Sequence, residues 1–261
     1  MTLEGKHIIV TGAASGIGRA TAIMAASRGA AVMAVDYNDR VEETADTIRA
    51  AGGTVIAQTA DISREDDVKA FTERCVAEFG ILDGLYANAG IGGAGKPFLE
   101  LGPDDFARTL GINTVGTFLC IKHAVPCLVS RRHGSIVCTA SVAGLRANAG
   151  GVDYSASKAA VISMVQTIAY QLYGTGVRIN AICPGLIETG MTAGVFTRAR
   201  ARGAEDRIGQ INPAARYGNP EEIAEMACFL LSDGASYVNG QAIAVDGGLS
   251  ASHPWVFPRK Q

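Results

Sequence analysis

Short runs of Val, Ile, Leu and Ala alternate along the chain with longer stretches whose apolar positions recur every three to four residues. The short runs are apolar without interruption rather than at every second position, as strands covered on both faces require. They predict strands at 7–10, 31–36, 54–59, 84–87, 135–139, 178–183 and 241–245. The longer stretches predict helices at about 16–28, 39–51, 64–79, 104–131, 154–173 and 220–232. Ser63 with Asp66, and Pro220 ahead of Glu221-Glu222, mark two of the helix starts. Strands that alternate with helices in this way give an α/β chain with a seven-stranded, doubly wound parallel sheet.

No linker, low-complexity tract or internal repeat divides the sequence, so one domain over residues 1–261 is expected. The beat breaks once, over 186–217, where Gly190, Gly194, Gly203, Gly209 and Pro213 are mixed with Arg198, Arg200, Arg202 and Arg207. A long irregular stretch that begins at the end of a strand reads as a substrate lid rather than a solvated excursion. The tail 250–261 carries the single tryptophan, Trp255, between Pro254 and Pro258. Free in water it exposes an apolar patch, so docking on a neighbouring subunit is expected, the alternative being a loose end.

Composition narrows the function. Twenty-three Lys and Arg against 25 Asp and Glu leave a formal charge of -2, too little field to hold nucleic acid or an anionic membrane. Uninterrupted apolar stretches fall short of the roughly 20 residues of a membrane helix. The chain enters its first strand without a cationic, apolar leader, so a cytoplasmic protein is expected. The six cysteines show no CxxC spacing and the four histidines are dispersed. Reduced core thiols and no metal site follow.

Thr11-Gly12-Ala13-Ala14-Ser15-Gly16-Ile17-Gly18 joins the first strand to the first helix. Its glycines let backbone approach a pyrophosphate, and the helix start offers free N–H groups and positive dipole charge. The spacing G-x-x-x-G-x-G departs from the G-x-G-x-x-G fingerprint, and a tight structural turn would look similar. Asp36 closes the second strand, where a carboxylate accepts hydrogen bonds from the adenosine ribose. A 2′-phosphate beside it would set like charges together, which favours NAD over NADP, with nearby Arg40 as the one opposing feature. Asp61-Ile62 and Asn88-Ala89-Gly90, after the third and fourth strands, are candidates for the adenine and the cofactor's backbone face.

Tyr154 and Lys158 stand four apart at a helix start, so their side chains share a face. With Ser141 at the end of the fifth strand they offer a phenol, a cation and a hydroxyl at the carboxyl edge of the sheet. A neighbouring ammonium and an oxidised nicotinamide favour phenolate, making Tyr154 a general base.

In order along the chain, Thr11 to Gly18, Asp61, Asn88-Ala89-Gly90, Asn113, Ser141, Tyr154 with Lys158, and Pro184-Gly185 resemble the classical short-chain dehydrogenase/reductase family. The resemblance runs from about residue 5 to residue 249, accounts for the glycine spacing, and departs from the family only at Ala87, where a second Asn is common. It implies a Rossmann sheet in the order 3-2-1-4-5-6-7. It implies that Tyr154 exchanges a proton with the substrate oxygen, that Ser141 orients that oxygen, and that Lys158 holds the nicotinamide ribose and lowers the Tyr154 pKa. Asn113 would anchor a water chain, and Pro184, Gly185, Ile187 and Thr189 would meet the nicotinamide. Assembly as a homotetramer or homodimer through the helices at 104–131 and 154–173 is likewise implied.

Val142, Leu145, Arg146, Val152, Met191, Val195 and Phe196 are candidate substrate contacts, and their apolar character points to a hydrophobic secondary alcohol or ketone. Arg146 either pairs with a substrate carboxylate or faces solvent. Two other readings stay open. The lid arginines would suit the thioester of a 3-oxoacyl chain on acyl carrier or coenzyme A, and a nucleotide-binding sensor would need no turnover. An epimerase or dehydratase that recycles its nucleotide is disfavoured by the absence of an added substrate domain.

Overall fold

A computed structural model describes residues 2–210 and 212–252. Seven parallel strands, β1 (His7–Thr11), β2 (Ala31–Asp36), β3 (Val55–Thr59), β4 (Gly84–Ala87), β5 (Gly134–Thr139), β6 (Val177–Pro184) and β7 (Ala242–Val245), form one sheet. Their order is β3-β2-β1-β4-β5-β6-β7, as the family resemblance implies. The register is set by the period of two: in β1, Ile9 points to one apolar layer and Ile8 and Val10 to the other.

Helices α1 (Gly16–Ser27), α2 (Val41–Ala50) and α8 (Pro220–Leu231) cover the second layer, contributing Ala22, Ala25, Val41, Ile48, Ile223 and Leu230. Helices α3 (Glu65–Phe79), α5 (Thr117–Ser130) and α6 (Val152–Gln171) cover the first with Phe71, Ile121, Leu128, Val161 and Val165. All six cysteines are free. The start of α8 is a capping box, Glu222 Oε2 accepting from Asn219 N at 2.9 Å. The expected Ser63 cap does not form: α3 begins after Arg64, and Ser63 Oγ instead donates to Asp61 Oδ1 at 2.7 Å.

The helix expected at 104–131 is built in three parts: α4 (Pro103–Leu110), a wide π-type turn over Gly111–Gly116, and α5. The run Pro103–Ser130 is 28 residues, long and apolar enough by length and composition to cross a membrane, which a count of uninterrupted apolar residues does not reveal. Leu119, Cys120, Ile121, Ala124 and Leu128 on it are core side chains against the sheet.

The irregular stretch at 186–217 is more ordered than its glycines imply. It holds α7 (Ala193–Ala201), and its two ends meet: Gly218 N donates to the Leu186 carbonyl and Glu188 N to the Gly218 carbonyl, at 2.9 and 3.0 Å. Arg200 bonds Glu188 and Glu205, which ties α7 to both flanks. The tail beyond Ser252, Trp255 included, lies outside the described residues.

Candidate active site

The crevice opens at the carboxyl edge of the sheet, beside the switch point where β1 lies between β2 and β4. It is a cleft of about 550 Å³. Its wall includes Gly12, Ser15, Gly16, Ile17, Asp36, Asp61, Ile62, Asn88, Ala89, Gly90, Ser141, Tyr154, Lys158, Pro184, Gly185, Ile187 and Thr189. Residues read from separate motifs thus face one space.

The first turn of α1 suits a pyrophosphate. Ser15 precedes it in extended conformation with no side-chain cap, and no acidic residue stands in the turn, so its N–H groups face the cleft uncompeted. Gly18 does not line the cleft. A Cβ there would lie 2.0 Å from the Gly12 carbonyl oxygen, and Gly12 has φ +72°, so the pair closes the turn tightly. Asp36 is held by its neighbours: Oδ2 accepts from Ala14 N and Oδ1 from Asn38 N, both at 2.9 Å. Arg40, the basic residue nearest to it, is turned to Glu43, with Nε 3.1 Å from Oε1. These donors and this cradle fit a dinucleotide.

Ser141 lies two residues past β5 and begins a short turn, its Oγ accepting from Ala143 N at 3.1 Å. Its own proton is left to hydrogen-bond the Tyr154 oxygen. Burial pushes the Tyr154 phenol above its ordinary value, and the Ser141 bond opposes that rise. Lys158 is 3% exposed and pairs with no carboxylate among the described residues; burial pushes its ammonium down to about 8. Its Nζ donates to the Thr139 carbonyl at 2.8 Å and lies 5.7 Å from the Tyr154 ring centroid.

Asn113 sits in the π-type turn, fully buried. Its amide spans the loop after β4: Oδ1 accepts from Ile91 N at 2.8 Å and Nδ2 donates to the Ile91 carbonyl at 2.9 Å. Nδ2 also reaches Ser157 Oγ at 3.0 Å, and that hydroxyl donates to the Tyr154 carbonyl. Sequence reasoning passed over Thr139, whose carbonyl holds Lys158 and whose Oγ1 donates to Asn88 Oδ1 at 3.0 Å. A threonine at a strand end carries no signal of that double duty. Arg108, Ile91 and Tyr37, also unremarked, line the cleft as well.

The substrate candidates scatter. Met191 lines the cleft. Phe196 is 1% exposed, edge-on to Tyr217 with centroids 4.8 Å apart, and so packs inside the lid instead of facing the cleft. Val142 is buried in the fold, while Leu145, Val152 and Val195 are exposed outside the cleft wall. Arg146 is exposed and lies outside the cleft wall, in keeping with the solvent reading. Its Nε donates to the Ser250 carbonyl at 2.7 Å and its Nη2 to the same oxygen, fastening the segment after β7.

Comparison with known proteins agrees with this geometry. The profile of the family described as Enoyl-(Acyl carrier protein) reductase matches residues 12–250. A 2,5-dichloro-2,5-cyclohexadiene-1,4-diol dehydrogenase of Sphingobium indicum is 40% identical over 250 residues, covering 95% of this chain and 98% of its own. The structure of an NAD+-bound xylitol dehydrogenase superposes with a TM-score of 0.89 at 32% identity, covering 95% of this chain and 100% of the other. A putative NAD(P)-dependent gluconate 5-dehydrogenase from Beutenbergia cavernae with bound NADP superposes with a TM-score of 0.87 at 36% identity, covering 96% and 99%. With its seven-stranded Rossmann sheet, its glycine turn and relatives of this length and likeness, the chain belongs to the classical short-chain dehydrogenase/reductase family.

Proposed function

We propose that the protein is an NAD-dependent dehydrogenase/reductase for a hydrophobic secondary alcohol or its ketone, cyclic or aromatic in skeleton. The observation that carries this reading is the meeting of Tyr154, Ser141 and Lys158 in the cleft that the Gly12–Gly18 turn and Asp36 share. The dinucleotide, when bound, supplies a ring carbon that gives or accepts hydride. Gly12, Ser15, Gly16 and Ile17 would hold its phosphates. Asp36 would hold the adenosine ribose, Asp61, Ile62, Asn88, Ala89 and Gly90 the adenosine side, and Pro184, Gly185, Ile187 and Thr189 the nicotinamide.

The chain's own groups then handle one proton. Ser141, held by the bond its Oγ accepts from Ala143 N, donates its proton to the substrate oxygen or to Tyr154 as the charge moves between them. Tyr154 takes the alcohol proton during oxidation and returns it during reduction. Lys158, fixed by Thr139, sets a positive charge near the phenol and would hold the nicotinamide ribose. Asn113 fixes the loop at Ile91 and leads the proton toward solvent by water.

NAD is favoured because the Asp36 carboxylate stays at the ribose end of the cleft while Arg40 is paired elsewhere. A cyclic skeleton agrees with the S. indicum relative, which by name acts on a cyclohexadiene diol. The acyl-thioester alternative loses support from Arg200, which is committed to Glu188 and Glu205. The segment 186–217 is proposed as the substrate lid, and the six free thiols suit a reducing cytoplasm. Assembly as a homotetramer, or as a homodimer, is supported by Val115 and Phe118, apolar yet exposed on the Pro103–Ser130 run.

The test is an absorbance screen at the reduced-nicotinamide band with cyclic, aromatic and hydroxy-acid alcohols, run with each nucleotide. Turnover with NAD at a kcat/KM about tenfold or more above that with NADP is expected. A preference of that size for NADP overturns the cofactor assignment, and binding of the nucleotide with no turnover of any alcohol favours the sensor reading.

A further inference from the structure

Tyr154 is the third residue of α6, and the N–H groups of a helix's first turn have no partner within the helix. The residue before this helix is Gly151, which has no side chain to cap with. Some other contact must fix the turn that carries the phenol. Asp153 stands in that turn, 1% exposed, and no basic side chain pairs with it among the described residues. An acid in a first turn ordinarily points to water and answers the helix dipole. This one is buried, and its partners belong to two other elements. Asp153 Oδ2 accepts from Ala94 N, in the loop after β4, and from Thr109 Oγ1 on α4, each at 2.8 Å.

The loop is shaped to receive it. Gly93 has φ +80°, and a Cβ there would lie 2.9 Å from both Asp153 carboxylate oxygens and 3.1 Å from Tyr154 Cβ. The backbone of 92–94 therefore runs against the acid and the tyrosine together. Burial alone would raise the Asp153 carboxyl, yet the Thr109 hydroxyl and the N–H groups of Ala94 and Tyr154 hold it below the ordinary carboxylate range. The same loop is gripped a second time at Ile91 by Asn113. Between the two grips lie Gly92 and Gly93, which have no side chains to set their own conformation.

We propose that Asp153 is a positioning residue for Tyr154, its buried carboxylate clamping the 88–97 loop and α4 to the uncapped start of α6. It touches no reacting atom. The proposal rests on the reading of Tyr154 as the proton-exchanging group, and it assigns the fine placement of that group to a carboxylate that no cation partners.

Two readouts test it, one of which needs neither cofactor nor substrate. Hydrogen–deuterium exchange of the protein alone should show 88–97 exchanging about tenfold faster or more in Asp153→Ala, with the rest of the sheet unchanged. In steady state, Asp153→Ala should lose about tenfold or more in kcat, while KM for NAD stays within about threefold. Asp153→Asn keeps one carbonyl oxygen that can accept from both Ala94 N and Thr109 Oγ1, as Oδ2 does, so it should restore both loop protection and most of kcat. Thr109→Val should weaken both in the same direction.

An Asp153→Ala protein with wild-type exchange over 88–97, or with wild-type kcat, overturns the proposal. So does Asp153→Asn behaving like Asp153→Ala, or exchange rising evenly through the molecule. A wild-type protein that turns over no alcohol with either nucleotide defeats the role of Tyr154 and with it the positioning claim, while the exchange rates still decide whether the clamp exists.

Discussion

Lys158 Nζ donates to the Thr139 carbonyl 2.8 Å away and lies 5.7 Å from the centroid of the Tyr154 ring. The strand end, not the tyrosine, therefore fixes the ammonium. A cation held there acts on the phenol through space, and its own charge is costly because it is buried with no carboxylate beside it among the described residues. The phenol has the opposite environment: burial keeps it protonated, and only the Ser141 hydrogen bond pulls toward phenolate.

Tyr154→Phe keeps the ring and removes the proton carrier. A loss in kcat of about 10²–10⁴-fold is expected, with nucleotide affinity retained. Ser141→Ala removes the bond that favours phenolate, so it should also shift the pH dependence of alcohol oxidation to the alkaline side. Stopped-flow turnover and a fluorescence titration with NAD check both. A Tyr154→Phe enzyme within about tenfold of wild type removes the phenol from the mechanism.

Lys158→Met separates stability from activity. Unfolded, the amine titrates near its ordinary 10.5, and folded near about 8. Between those values only the unfolded chain binds the proton, so stability rises as pH climbs through the window. Below about 8 both states are charged and the penalty is fully present, on the order of 3 kcal/mol. An apolar side chain of similar length escapes it. Lys158→Met should melt at or above the wild-type temperature at pH 7, the gap narrowing toward pH 10, while turnover collapses. A clearly lower melting temperature at pH 7 contradicts the account.

Much of this site is written locally. The Thr11–Gly18 turn, Asp36 and the Tyr154/Lys158 pair depend on spacing within one strand, turn or helix, and spacing survives folding. What spacing cannot carry is a contact between distant segments. Phe196 looks like a pocket wall until Tyr217, far along the lid, covers it. Arg146 reads as either a substrate anchor or a solvent-facing charge, and only the fold shows the Ser250 carbonyl that it holds. Asp153, which no local spacing singles out, is closed over by Ala94 and Thr109 from two distant segments. Helix α7 is hidden for another reason: Gly194 and Gly203 near its ends read as loop, and Arg200 reads as lid charge and not as a partner for Glu188 and Glu205.

Asp36→Ser should relax nucleotide choice. The carboxylate is pinned by Ala14 N and Asn38 N, so it cannot swing away from a 2′-phosphate. Removing its charge while keeping a short hydrogen-bonding group should narrow the NAD to NADP ratio of kcat/KM by about tenfold or more, chiefly through a lower KM for NADP. An unchanged ratio would place the discrimination at some residue other than Asp36.

Asp83 makes the fold itself acid-sensitive at the edge of the sheet opposite the cleft. Its side chain is 6% exposed. Burial alone would raise the carboxyl, but His7, through both its ring and its backbone N–H, and Arg131 outweigh that and hold it below the ordinary carboxylate range. A carboxyl depressed in the folded state adds stability that is present above its unfolded value, near 3.9, and is lost as pH falls through the lower folded one. Asp83→Asn removes that contribution and leaves Arg131 without its carboxylate, so at pH 7 it should destabilise by about 1–3 kcal/mol. The difference between variant and wild type should shrink as the pH is taken below about 4. Urea unfolding of both proteins from pH 3 to pH 7 reads this directly, and a gap that stays constant across that range would show that the carboxylate's charge is not what joins β1, β4 and the end of α5.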